Sequence, residues 1–201
     1  MRGESQGSGG RSRRVQGASP EPPAAGTRGD LPGRIVLVGF MGAGKTTVGR
    51  LLARRLGYDF VDLDEEVERL AGRTIPEIFR SEGEAAFRAL EAEVTSRLDD
   101  RCRIVIAAGG GWMARPELRD RWTAAVRVWL QVSEQSVLER LGSHLETRPL
   151  LGREPPQRAI RTFLEGRRAS YRLAELRVDT DGRTAVEVAE CVLELLARAG
   201  T

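Results

Sequence analysis

The segment Gly39-Phe40-Met41-Gly42-Ala43-Gly44-Lys45-Thr46 constrains this chain more than any other stretch of it. Its spacing, G-x-x-x-x-G-K-[ST], is that of a P-loop, in which glycine-rich backbone N–H groups cradle the phosphates of a nucleotide. The flanks are those such a loop requires. Ile35-Val36-Leu37-Val38 reads as a buried parallel strand, and Val48, Leu51, Leu52 and Leu56 follow at helical spacing. Strand, turn and helix in that order aim the positive end of a helix at the phosphates. Gly42, Ala43, Gly44, Lys45, Thr46 and Thr47 are therefore the candidate nucleotide-binding residues. Of 32 basic residues Lys45 is the only lysine. A compact, rotatable ammonium can reach between β- and γ-phosphates where a planar guanidinium would fit differently. Thr46 would place its hydroxyl on Mg²⁺. A glycine-rich turn with an accidental lysine would not need strand, helix and full spacing together.

The 201 residues suffice for one domain with a sizeable core, and 40% apolar content with 30% charged residues is ordinary for a soluble globular chain. Residues 1–33 are Gly-, Ser-, Pro- and Arg-rich with almost no large apolar side chain, so a disordered tail is expected before a domain spanning 34–201. The tail has no apolar stretch of the kind a signal peptide needs. Glu4, Glu21 and Asp30 interrupt what would otherwise resemble a transit peptide. No run approaches the ~20 apolar residues of a membrane span. A net charge of +3 raises the question of nucleic acid. Acids and bases are interleaved through the body of the chain, however, which describes a solvated surface rather than a phosphate-tracking stripe. Cys102 and Cys191 lack metal-ligand spacing and are expected to be small buried side chains in a reducing, cytoplasmic compartment.

Short strands are expected at 60–62, 103–107, 126–132 and 177–179 besides the first, with helices between them. Thr74-Ile75-Pro76-Glu77 has the spacing of a capping box, a longer helix is expected over about 84–98, and the last helix carries Val188, Ala189, Val192, Leu195 and Leu196 on one face. Alternation of this kind implies an α/β fold, a central, mostly parallel five-stranded sheet with helices on both faces. Ligands collect at the carboxyl ends of such strands. With its one lysine in the loop, the chain cannot carry the Asn-Lys-x-Asp motif of a GTPase. The strand Ile104-Val105-Ile106 runs into Ala107-Ala108-Gly109-Gly110-Gly111 rather than the acid of a motor ATPase. The acids at a strand end are Asp62 and Asp64, which would lie beside the phosphate site if the second strand neighbours the first. That arrangement suits a small-molecule kinase.

Taken in order, Gly39 to Thr47, Asp62-Leu63-Asp64, Gly83-Glu84 with Phe87-Arg88 and Glu91, Gly109-Gly110-Gly111, Arg148-Pro149-Leu150-Leu151, and Arg167 with Tyr171 resemble the shikimate kinases over residues 34 to about 198. The resemblance implies a three-layer P-loop kinase fold with a mobile lid, MgATP as phosphoryl donor, and a monomer acting on a small molecule without nucleic acid or membrane. The reaction it implies is transfer of the γ-phosphoryl group of ATP to the 3-hydroxyl of shikimate, a step toward chorismate and the aromatic amino acids. Arg88 and Arg167 match the carboxylate clamp, a role charge-assisted guanidinium bonds suit. The alternative for Arg88 is a salt bridge with Glu84 or Glu91 on its own helix. Asp64 matches the residue that holds the ring hydroxyls and accepts the proton of the attacking one, and Asp62 the acid that supports Mg²⁺. Gly109, Gly110 and Gly111 would admit the ring. Arg148, on the lid from about Gly142 to Pro156, would close onto the transferring phosphoryl group. Arg140 and Arg183 resemble the positions that flank adenine, although Thr184 and Ala185 stand where a proline commonly follows the second. The bulky Trp112 after the glycines either walls the pocket or caps the core. The single histidine, His144, reads as a solvated loop residue. Two other readings are a kinase for an aminated analogue and a non-catalytic regulator on the same fold; the latter predicts loss of Lys45, Asp64 or Arg148, all of which are present.

Overall fold

The computed structural model describes residues 31–142 and 155–199. The expected tail and most of the expected lid, with His144 and Arg148, lie outside the described residues. Five parallel strands form one sheet in the order β2-β3-β1-β4-β5, with β1 at Arg34–Val38, β2 at Asp59–Asp62, β3 at Ile104–Ala107, β4 at Val126–Gln131 and β5 at Leu176–Asp179. The helices are α1 (Lys45–Leu56), α2 (Leu63–Ala71), α3 (Ile75–Ser81), α4 (Gly83–Ser96), α5 (Pro116–Arg119), α6 (Glu134–Leu141), α7 (Pro156–Tyr171) and α8 (Ala185–Ala199).

Because side chains alternate along a strand, a sheet covered on both faces needs apolar residues at every position. Ile35, Leu37, Val105, Val128 and Leu130 point into one core with α1, α6 and α8. Val36, Val38, Ile104 and Ile106 point into the other, with α2, α3, α4 and Trp112. Each fully buried Val, Leu or Ile adds about 1.5–3 kcal/mol of hydrophobic stabilisation. These central strands therefore form the rigid base of the site.

Local signals act as expected. Thr74 and Glu77 close the capping box of α3, with the Glu77 carboxylate 2.8 Å from the Thr74 amide. Thr184 and Glu187 make the same exchange before α8, with the carboxylate 2.7 Å from the Thr184 amide, so a polar cap starts that helix. Two expectations need correction. β2 neighbours β3 rather than β1, because β3 inserts between them. Cys102 is exposed and Cys191 half-buried, since one lies in the loop before β3 and the other on the margin of α8.

Arg34, the first residue of β1, ties the sheet to the end of α4. Its Nη2 faces the carbonyls of Leu98, Asp99 and Arg101 at 2.9, 2.9 and 2.6 Å, and its guanidinium lies 4.5 Å from the Trp122 ring centroid. Burial holds its pKa below the usual arginine value against the opposing pull of Asp99. Arg34→Met is expected to leave those carbonyls short of donors at a cost of about 2 kcal/mol. A thermal melt of the ligand-free protein should show the midpoint lowered by about 4–8 °C.

Candidate active site

β1, β2 and β3 end level with one another. Leu37 and Asp62 are both in register with Ala107, and the Ala108 amide donates to the Leu37 carbonyl at 3.0 Å. Each of these strands leads into a functional segment: β1 into the P-loop, β2 into Asp62 and Asp64, and β3 into Gly109-Gly110-Gly111. The three segments surround one cavity of about 760 Å³.

The P-loop wraps around the start of α1. Gly42 and Gly44 have φ of 75° and 89°, left-handed values that a side chain would strain. No acidic residue stands in the first turn of α1, so its N–H groups and dipole face the cavity unopposed. Lys45 Nζ donates to the carbonyls of Gly39 and Phe40 at 3.0 and 3.1 Å, folded back along its own loop. The Thr46 hydroxyl donates to Asp62 Oδ2 at 2.6 Å, and Asp62 Oδ1 accepts from the Asp64 amide at 3.0 Å. Although β2 is two strands from β1, one carboxylate thus caps α2 and meets the P-loop threonine. Both are hard oxygen donors. Among the described residues, no group of three or more acidic, Cys or His side chains could hold a metal by itself. This set fits Mg²⁺ held jointly with nucleotide phosphates, the usual arrangement for that ion.

The glycine run is explained by what presses on it. A Cβ on Gly109 would stand 2.8 Å from Glu91 Oε1 and 3.1 Å from Asp64 Oδ1. On Gly110 it would meet Arg167 Nη1 at 2.6 Å, and on Gly111 the Arg88 guanidinium at 2.8 Å. Three bare backbone positions let two acids and both arginines converge on the same wall.

Arg88 makes the expected ion pairs on its own helix, with Glu84 and Glu91 at 2.9 Å each, and also borders the cavity. Burial opposes its charge, but Glu91 and Glu84 outweigh that and hold the pKa above its usual value. Arg167 rather than Arg168 faces the same cavity, with its guanidinium 5.8 Å from the Phe40 ring centroid and 5.2 Å from that of Phe163. Tyr171 donates to the Gly110 carbonyl at 2.7 Å. Burial pushes its phenol up to about 12 despite Arg167, so it remains a donor at neutral pH. Trp112 has no exposed surface. It stacks on Trp122 at 5.7 Å, and its indole N–H reaches the Thr95 hydroxyl at 3.3 Å, so it caps the core.

Ala43 is buried behind the loop, and Arg140 and Arg183 lie outside the cavity. Arg140 donates to the Gly42 carbonyl and the Thr180 hydroxyl at 3.0 Å each, and Arg183 reaches the Cys191 sulfur at 3.1 Å. Thr180 links them, since its carbonyl accepts from Arg140 Nη2 at 2.5 Å and from the Arg183 amide at 3.4 Å. The sequence names Glu91, three residues after Arg88, as a partner for it on the same helix, but gives no signal for Arg115, which arrives only through tertiary contact.

A P-loop, a threonine–aspartate pair and two arginines across a glycine wall define a nucleotide-dependent kinase of a small carboxylated acceptor. The shikimate kinase family model matches residues 41–197. The shikimate kinase of Synechococcus sp. (strain CC9902) is 44% identical over 167 residues, covering 83% of this chain and 87% of that relative. That of Moorella thermoacetica is 45% identical over 168 residues, covering 83% and 95%. The structure of shikimate kinase from Acinetobacter baumannii in complex with shikimate superposes with a TM-score of 0.79 and 40% identity, covering 84% of this chain and 94% of that one. This chain belongs to the shikimate kinase family.

Gly110→Ala should push the Arg167 guanidinium off the glycine wall. Displacements of about 1 Å in a positioning group can cost ~10²-fold. The expected result is a loss of that order in kcat/KM for the acceptor with little change in KM for ATP, measured by coupled ADP release.

Proposed function

We propose that the cavity between the P-loop and the Arg88–Arg167 wall is where shikimate is phosphorylated. The reaction is that of the family: ATP and shikimate give ADP and shikimate 3-phosphate, in the biosynthesis of aromatic amino acids. The observation that carries the assignment is that one cavity joins a phosphate cradle to two guanidiniums across bare glycine backbone. A neutral sugar would not need such a clamp, whereas a carboxylated ring would.

The α1 N-terminus and Gly42 to Thr47 hold the phosphates, and Lys45 leaves its loop carbonyls for the β- and γ-phosphate oxygens. Thr46 and Asp62 would hold Mg²⁺, which when bound offsets the charge on those oxygens. Arg88 and Arg167 take the carboxylate, fixing which hydroxyl faces the donor. Asp64 orients that hydroxyl and accepts its proton as the new O–P bond forms and the bond to the ADP oxygen breaks. Arg148 lies outside the described residues. Its assignment to the transferring phosphoryl group, worth as much as ~10³-fold in rate, rests on the Arg148-Pro149-Leu150-Leu151 match. Arg140 and Arg183 are assigned to the adenine end, where their joint link through Thr180 would tie base recognition to the P-loop. The catalytic unit is residues 34–201. No helix among the described residues is long and apolar enough to cross a membrane. Of the two places where a pocket suited to an aminated analogue would differ, Trp112 is fully buried and stacked on Trp122, and the lid lies outside the described residues.

ADP release with ATP and Mg²⁺ should depend on shikimate and be weak with gluconate or with no acceptor. Release indifferent to the acceptor would show that the clamp is misassigned. Lys45→Arg should lose about 10²-fold or more in kcat while keeping the wild-type melting midpoint. Near-normal turnover would instead show that any cation suffices at this position.

A further inference from the structure

We infer that Arg115 is a positioning residue for the acceptor carboxylate, acting through Glu91 on Arg88. The inference rests on the proposed clamp. Arg115 stands just before α5, after the short turn that follows the glycines, and its side chain reaches back to α4. Its Nη1 donates to the backbone carbonyl of Arg88 at 2.9 Å and to Glu91 Oε2 at 3.3 Å, while its Nε donates to Glu117 at 2.7 Å. The same Glu91 Oε2 accepts from Arg88 Nη1 at 2.9 Å. One guanidinium therefore grips both the main chain of the clamp arginine and the carboxylate that fixes its side chain.

The charges explain why a second arginine is needed. Arg88 lies between two carboxylates, which by themselves would cancel its attraction for a third. Glu84 and Glu117 keep 59% and 60% of their side-chain surface exposed, so water screens them. Glu91 keeps 1%. Its Oε1 is buried and takes no hydrogen bond from any described residue, so its charge is met at Oε2 by Arg88 and Arg115. A buried carboxylate facing one guanidinium would hold that guanidinium for itself. With Arg115 sharing the load, the buried Glu91 carboxylate is met by two guanidiniums. Arg88 then keeps a net attraction for the acceptor.

The test is steady-state kinetics of the full chain with shikimate and MgATP varied separately, for the parent, Arg115→Ala, Arg115→Lys and Arg88→Ala. Arg115→Ala is expected to raise the KM for shikimate about tenfold, the loss of roughly one charge-assisted hydrogen bond. The KM for ATP and kcat should stay within about twofold. Arg115→Lys should fall between parent and alanine, because an ammonium restores the charge without the two-pronged grip. A merely structural role would move both KM values together with the melting midpoint and give no lysine rescue; that result, or an unchanged shikimate KM, would overturn the inference. Arg88→Ala separates the two levels. If it raises the shikimate KM and Arg115→Ala does not, only the role of Arg115 fails; if Arg88→Ala has no effect, the clamp itself fails and the inference falls with it.

Discussion

The structure depends on three parallel strands ending at the same height. Leu37, Ala107 and Asp62 form one row across β1, β3 and β2, so the segments leaving those strands start from a common edge. A parallel sheet can hold that alignment only if both faces are buried. The near-zero exposure of β1 and β3 shows that they are. In the order β2-β3-β1-β4-β5 the connection leaving β1 runs to β2 on one side of it, and the connection leaving β3 runs to β4 on the other. That divergence opens the crevice in which the phosphate loop sits. Fold and site are in this sense one feature: slipping β3 by one residue against β1 would invert its side chains and withdraw the glycine wall.

On that base the site is organised by charge. An isolated buried carboxylate is costly to remove from water, and Glu91 is met by two arginines. Those bonds also fix the Arg88 rotamer before any ligand arrives. Less ordering entropy is then lost on binding. The same logic operates at Asp62, which serves α2 as its N-cap and the P-loop through Thr46 with different oxygens. Both carboxylates connect elements that the backbone alone leaves unlinked.

Much of this was legible in the sequence, for identifiable reasons. Element types followed from periodicity and caps: the β1 run, the Thr74–Glu77 box and the apolar face of α8 are local patterns, and they folded locally. The loop from Gly39 to Thr46 was legible because motif spacing encodes a turn. Strand order was not, since no pattern in the chain states that β3 inserts between β1 and β2. Asp62 nevertheless reached Thr46, because α1 and β2 both approach the same edge from the side of β3. The role of Trp112 was decided by Trp122 and Thr95, 10 and 17 residues away in the chain. Arg115, linked to Arg88 across 27 residues, had no spacing to betray it.

The chain's choice of cations follows from the same geometry. Two guanidiniums use their planarity. Arg127 spans both oxygens of Glu175 while reaching the Arg119 carbonyl, and Arg88 divides its nitrogens between Glu84 and Glu91. Each of these is a fixed fork matched to fixed acceptors. Lys45 has the opposite task. Its ammonium lies against two carbonyls of its own loop, and in the proposed reaction it would transfer to phosphate oxygens that arrive with the nucleotide. A point charge on a flexible stem can exchange one set of oxygens for the other without a preferred plane. A sequence otherwise built on arginine keeps its single lysine at this position.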